Sequence, residues 1–227
     1  MGRRAIRRGV ARAAGAATVF SIPVIALALV VSMPESPLVV FDQRLVQAAT
    51  DITRTNPELR QALILWQEAF QGRWVNLVGT GLCVWVWRRH GLPARALWAF
   101  LTLMVSWNLE LGMKLVVQRP RPILEDAVVL VPGYSFPSGH AANAASAGLT
   151  LTLLVWPLLG ARARIAVPAV VMALVLCTAL DRVFLGVHYP GDVIGGIALG
   201  SALAGASYLG YQSWNAAVAA PADEVGE

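Results

Sequence analysis

Lysine is all but missing from this chain. Of eighteen basic residues in 227, seventeen are arginine and Lys114 is the only lysine. Histidine is nearly as scarce, at His90, His140 and His188. Charged residues of both signs make up 14% of the chain against 57% hydrophobic, and the mean hydropathy is +0.61. That balance excludes an ordinary soluble domain. Cysteine is limited to Cys83 and Cys177, both inside apolar runs; they read as small packing residues, not a disulfide framework. No Cys/His/carboxylate group stands at metal-ligand spacing among the polar clusters, so neither a metal nor a cofactor is expected.

The formal charge of +5 first suggests a nucleic-acid partner. Most of the arginines, however, gather at the N-terminus and in short loops, which is the orientation signal of a membrane protein and not a binding stripe. No nucleic-acid partner is expected. The fold class that follows is all-α, a polytopic membrane bundle of six transmembrane helices with short amphipathic helices between the first and second. One domain over residues 1–215 holds spans near 17–33, 73–88, 97–117, 140–159, 165–185 and 193–211. The first apolar run exceeds a signal-peptide core of about 7–15 residues and lacks an Ala-x-Ala site, so it reads as an uncleaved span. Residues 34–72 are too polar to span. There Phe41, Leu45, Ala48 and Ile52 recur at helical spacing, as do Leu59, Leu63, Trp66 and Phe70, with Asn56-Pro57-Glu58 as a helix start between them. Gly191, Gly195, Gly196, Gly200 and Ala204 give the sixth span small-xxx-small spacing for close helix approach. Residues 216–227 read as a disordered tail.

Ionisable groups at membrane depth cost about 2.5–3.5 kcal/mol each on insertion scales, so they are functional suspects. Three stretches concentrate them: Lys114 with Arg119-Pro120-Arg121-Pro122, Pro137-Ser138-Gly139-His140, and Asp181 to Asp192. Glu110, one helical turn before Lys114, is a possible intrahelical partner for it. The N-terminal arginines, Arg88-Arg89 and Arg162/Arg164 occupy alternate connections and mark one face as cytoplasmic. All three polar stretches, together with 34–72, then fall on the opposite face.

Their chemistry suits a phosphoryl group. Lys114, Arg121 and Arg182 supply positive charge, and the N–H groups of Ser138 and Gly139 precede the fourth span, where the positive helix end favours an anion. Asp192 lies four residues after His188, within reach of its imidazole, leaving the other ring nitrogen free as a nucleophile. His140 is a second imidazole, available to protonate a leaving oxygen.

Lys114-x6-Arg121-Pro122, Pro137-Ser138-Gly139-His140 and Arg182-x5-His188-x3-Asp192 together resemble the three-part signature of the type 2 phosphatidic acid phosphatase superfamily, which includes the vanadium haloperoxidases. The resemblance covers about residues 74–210. It implies a metal-independent membrane lipid phosphatase whose His188 forms a phosphohistidine, oriented by Asp192, with His140 as acid and then base. Lys114, Arg121, Ser138, Gly139 and Arg182 would hold the phosphate. The substrate would be a lipid phosphate (phosphatidic acid, phosphatidylglycerol phosphate or a polyprenyl diphosphate) at the periplasmic or extracellular face of the plasma (inner) membrane. A lipid phosphotransferase shares the same residues; a transporter, from another class, would spread its charges over both faces or the midplane. One position departs from the family: Asp181 stands where a serine is usual, and its carboxylate repels a phosphate unless a cation such as Arg182 neutralises it.

With three cations in the role a metal would otherwise fill, dialysis against EDTA is expected to leave phosphate release essentially unchanged. Complete loss restored by magnesium is the contrary result.

Overall fold

The computed structural model describes residues 2–33, 35–124 and 127–219. It is all-helical, with no strand among the described residues: α1 (Gly2–Val31), α2 (Pro37–Thr55), α3 (Pro57–Ala69), α4 (Gly72–His90), α5 (Pro93–Val117), α6 (Gly139–Val155) with a 3-10 turn at Trp156–Leu158, α7 (Ala163–Phe184) and α8 (Pro190–Ala219). Pro37, Pro57 and Pro93 stand in the first turns of α2, α3 and α5, where a missing N–H costs nothing. Ser36 caps α2 by accepting from the Val39 N–H at 3.3 Å. Left-handed Gly91 (φ 63°) and Gln118 (φ 52°) close α4 and α5. Pro120 and Pro122 then stop α5 from continuing.

Among the described residues, five helices are long and apolar enough to cross a membrane: Gly9–Val31, Pro93–Val117, Gly139–Leu158, Ala163–Phe184 and Pro190–Ala216. The expected second span, 73–88, forms α4, but Arg73 in its first turn and Arg88, Arg89 and His90 in its last keep it out of that group. The outer surface is apolar. Leu101, Val105 and Leu115 of α5 and Val170, Met172 and Leu176 of α7 are all exposed, as befits helices solvated by lipid tails.

The central helix is α6, which packs on α4, α5, α7 and α8. Its alanines let the neighbours close in, and its few polar groups bond across: Ser146 Oγ donates to Ser106 Oγ at 2.8 Å, and Asn76 Nδ2 to Asn143 Oδ1 at 3.1 Å. Small residues across a helix pair replace the missing hydrophobic drive with close packing. At Gly196 a side-chain carbon would lie 2.6 Å from the Ser138 carbonyl oxygen, so α8 can meet the start of α6 only with glycine there. α1 packs chiefly on the other side of α8. Both cysteines are free, Cys83 buried and Cys177 exposed.

The stripe on α2 gains a direction, and one expectation is corrected. The stripe Phe41, Leu45 and Ile52 of α2 faces outward and is exposed; the face packed on the protein is Val39, Asp42, Val46, Ala49, Thr50 and Thr53. In a lipid setting the apolar stripe belongs on the outside, so helical periodicity located the stripe without telling which way it points. Residues 216–219, expected to begin a disordered tail, instead continue α8 to Ala219. Asn215-Ala216-Ala217-Val218-Ala219 holds three alanines and no breaker, which favours continuing the helix. Residues 220–227 lie outside the described residues.

Candidate active site

The three polar stretches meet at one end of the bundle. The end of α5 contributes Lys114, the start of α6 His140, and the end of α7 Arg182; the turn 185–189 adds His188. These side chains, with Arg121 and Gly139, line a cavity of about 430 Å³ whose other wall is Gln67, Glu68 and Gln71 from the end of α3 and the segment after it. Ser138 and Asp192 do not line it. They sit directly behind, both wholly buried.

His188 is placed by its backbone. Gly186 turns the chain at φ 70°, and the N–H groups of Val187 and His188 both donate to the Arg182 carbonyl, at 3.2 and 3.3 Å. The imidazole Nε2 then faces Arg121 Nη1 at 3.3 Å. A guanidinium only donates, so Nε2 carries the lone pair and Nδ1 the hydrogen. Nδ1 lies 3.4 Å from Ser135 Oγ and 3.6 Å from Asp192 Oδ2, while the Ser135 hydroxyl donates to that same carboxylate oxygen. The direct His188–Asp192 hydrogen bond expected from the spacing is therefore long, and Ser135 fills the gap. Burial, opposed by the Asp192 hydrogen bond, lowers the His188 pKa from 6.5 to about 4.

Asp192 in turn is held by charge. Arg119 donates from Nη1 to Asp192 Oδ1 at 2.7 Å and from Nη2 to Asp42 Oδ2 at 2.8 Å. Its guanidinium carbon also stands 4.2 Å from the Tyr189 ring centroid. The Tyr189 N–H donates to Asp192 Oδ2 at 2.8 Å, and the Gly191 N–H to Asp42 Oδ1 at 2.9 Å. Arg119, Asp42 and Asp192 are all buried; burial raises the Asp42 pKa in spite of the Arg119 and Gly191 contacts.

Around the cavity, Lys114 Nζ donates to the Tyr134 carbonyl at 3.0 Å, and no ion pair joins it to Glu110. Arg121 Nη1 donates to the Val187 carbonyl at 2.7 Å. Arg182 is bound to Asp181 through two nitrogens, so the unusual carboxylate is neutralised and Arg182 is not the free cation the sequence suggested. Of the two N–H groups expected to face an anion, that of Ser138 is taken by the Asp192 carbonyl at 2.9 Å. The first turn of α6, from Gly139, remains. The Ser138 hydroxyl and His140 Nε2 are buried without a hydrogen-bond partner. No group of three or more His, Cys, Asp or Glu among the described residues could hold a metal.

Sequence reasoning missed Asp42 and Ser135 and gave Arg119 no role. The only signal for Arg119 was its place in an arginine-proline pair; for Asp42 it was a carboxylate on the buried face of α2.

The PAP2 superfamily model matches residues 95–216. The chain belongs to the PAP2 superfamily. Among curated relatives it is similar to decaprenylphosphoryl-5-phosphoribose phosphatase of Mycobacterium tuberculosis, 38% identical over 100 residues, covering 43% of this chain and 50% of that protein. The Mycolicibacterium smegmatis enzyme of the same name is 34% identical over 126 residues, covering 54% and 62%. The chain thus spans only about half to three fifths of these relatives. The fold matches a PAP2-type phosphatidylglycerolphosphate phosphatase from Bacillus subtilis at TM-score 0.70 and 24% identity, covering 85% of this chain and 94% of that one. It also matches LpxE from Aquifex aeolicus at TM-score 0.57 and 21% identity, covering 73% and 93%.

Two outcomes follow for this PAP2 chain. Arg119→Met leaves two buried carboxylates without their cation and is expected to cost about 3–5 kcal/mol of stability, read by equilibrium unfolding in detergent. His188 should titrate near pH 4 in NMR of histidine-labelled protein, as the resonance lost in His188→Asn. Because the unfolded imidazole binds its proton near 6.5, stability should fall as pH drops from 6.5 to 4 and gain nothing further from this group below that.

Proposed function

We propose that this protein is an integral-membrane lipid phosphatase that works through a phosphohistidine on His188. The observation that carries the reading is the orientation of His188, with its Nε2 lone pair on the cavity beside Arg121 and its Nδ1 side closed by Ser135 and Asp192. In the first step Nε2 attacks phosphorus and the P–O bond to the lipid breaks. His140, which lines the same cavity, gives its proton to the leaving oxygen. In the second step His140 takes a proton from water, the water oxygen attacks phosphorus, the N–P bond breaks and inorganic phosphate leaves. Lys114, Arg121, Arg182 and the first turn of α6 at Gly139 bind the phosphoryl oxygens, and Ser138 lies behind them. Asp192, through Ser135, holds the tautomer.

The names of the curated relatives favour a polyprenyl-linked phosphate among the candidate lipids. Six spans fit better than five. α4 begins at the cavity, where Gly72 lines it. It ends two residues before α5 begins, and Val86 packs with Ala96 and Leu154 at the far end of the bundle. Its 19 residues extend about 28 Å, close to a hydrocarbon core of about 30 Å, and arginines at both ends can reach out to the interfaces. With that span the arginine-rich connections lie together and the cavity opens on the non-cytoplasmic face.

His188→Ala should abolish both turnover and acid-labile phosphoenzyme. His140→Ala should turn over slowly with ordinary lipids but still become phosphorylated by a nitrophenyl phosphate, whose leaving group needs no proton. A wild-type phosphopeptide mapping around His140, and not to Val187–Asp192, contradicts the assignment. For sidedness, single cysteines at Ile123, which is 96% exposed, and at Arg162, in a background without Cys83 and Cys177, should label oppositely with an impermeant reagent on intact cells. Ile123→Cys should react and Arg162→Cys should not; the reverse pattern inverts the topology.

A further inference from the structure

Away from the active-site cavity, a groove of about 700 Å³ runs between α1 and α5 over a floor of α8. A side-chain carbon at Gly210 of α8 would stand 2.8 Å from Ala13 Cβ of α1, so α1 lies tight on α8 and the gap is left on the side of α5. Along α5 the groove extends from Ala94 to Ser106, about 18 Å at 1.5 Å per residue. That is about the depth of one leaflet of a hydrocarbon core about 30 Å thick. Its volume falls within the range of about 300–1,000 Å³ usual for ligand sites.

The polar groups on the groove wall are spent on one another. Trp98 Nε1 donates to Ser207 Oγ at 3.3 Å, Thr102 Oγ1 to the Trp98 carbonyl at 2.9 Å, and Ser146 Oγ of α6 to Ser106 Oγ at 2.8 Å. The surface left for a ligand is hydrocarbon and aromatic. The outer end of the groove differs. Arg7 is exposed and stands one helical turn before Val10 of the wall, on the same face of α1. Arg12 is exposed and donates to Ser213 Oγ at 3.2 Å. Arg95 follows Ala94 of the wall, donates to the Leu153 carbonyl at 2.6 Å and lies 5.9 Å from the ring centroid of Tyr211 in the groove. These acceptors are neutral, and α1, α4, α6 and the part of α8 after Asp192 contain no Asp or Glu. Three guanidinium charges thus stand at the outer end of an apolar groove one leaflet deep.

We propose that this groove binds a phospholipid with an anionic headgroup, one acyl chain lying along α5 and the headgroup phosphate at Arg7, Arg12 and Arg95. A hydrocarbon tail asks no hydrogen bond of the wall, and the headgroup meets its counter-charges where the tail ends. The site is separate from the phosphatase centre. α8 begins beside Asp192 at Pro190 and meets the groove from Leu203, about 20 Å further along the helix. The bound lipid is therefore a fixed component filling the gap between α1 and α5, and not a substrate.

The test is native mass spectrometry of the delipidated protein in a neutral detergent, titrated with phosphatidylglycerol or with phosphatidylcholine of the same acyl chains. Both are phosphodiesters, so phosphatase chemistry does not consume them. Wild-type protein should bind its first phosphatidylglycerol about 10–30-fold more tightly than phosphatidylcholine, as two or three arginines beside an anionic headgroup provide. Arg7→Gln/Arg12→Gln should bring that ratio to within about threefold. Arg88→Gln/Arg89→Gln, which removes the same charge from the end of α4, should keep it. Ala14→Trp, at an exposed position on the groove wall, should weaken both lipids; if it does not fold, Ala17→Trp carries the same comparison. A wild-type ratio near one, equal loss in the two arginine pairs, or unchanged binding in the groove-filling variant overturns the proposal. So does binding that appears only once residues 220–227 are removed, since the arginines would then belong to Asp223, Glu224 and Glu227 of the same chain.

Discussion

Everything at the cavity end of the bundle hangs on Arg119, a buried cation between two buried carboxylates. Asp42 comes from α2, Asp192 from α8, and Arg119 from the segment just after α5, so one guanidinium ties together three parts of the chain far apart in sequence. The planar fork makes this possible: two nitrogens reach two acids while the face lies on Tyr189. Lysine, a point charge, could not do all three. An unpaired charge at this depth would be expensive, so the triad is either complete or the region does not hold its shape. Asp192 is thereby fixed before it meets Ser135 and His188.

Around that frame the site sorts its charges by partner. Arg119 is consumed by structure and Arg182 is bound to Asp181, whereas Lys114 and Arg121 meet no carboxylate: Lys114 donates to a backbone carbonyl, and Arg121 to backbone carbonyls and His188 Nε2. Asp181 in the place of a serine therefore weakens the net positive field without adding a free negative one. The remaining acids on the wall, Glu68 and Glu110, stand apart from this sorting.

The motif residues were legible because ionisable groups are rare in an apolar chain. What stayed hidden has physical reasons. Arg119 and Arg121 are two positions apart in one proline-flanked pair, and nothing in the order of residues says that one turns to the acids and the other to the cavity. Asp42 lies 77 positions from Arg119 in a stretch with several other acids, so its partner is visible only in three dimensions. Ser135 sits between aromatics in a loop and carries no periodic signal. The stripe on α2 was found but given no direction, since lipid is as apolar as a protein core and periodicity cannot tell them apart.

The contact of α8 with both α6 and α1 bears on how the molecule is made. α1 emerges well before α8 during synthesis, yet α8 is its main packing partner. α6 likewise has a face of alanine and serine that nothing covers until Gly196 and Gly200 arrive. His140 and Asp192 stand at the very ends of the helices joined by that late contact. A nascent chain therefore carries Lys114, Arg121, His140 and Arg182 well before Asp192, and the ion pairs around Arg119 are completed in a single closing event when α8 docks.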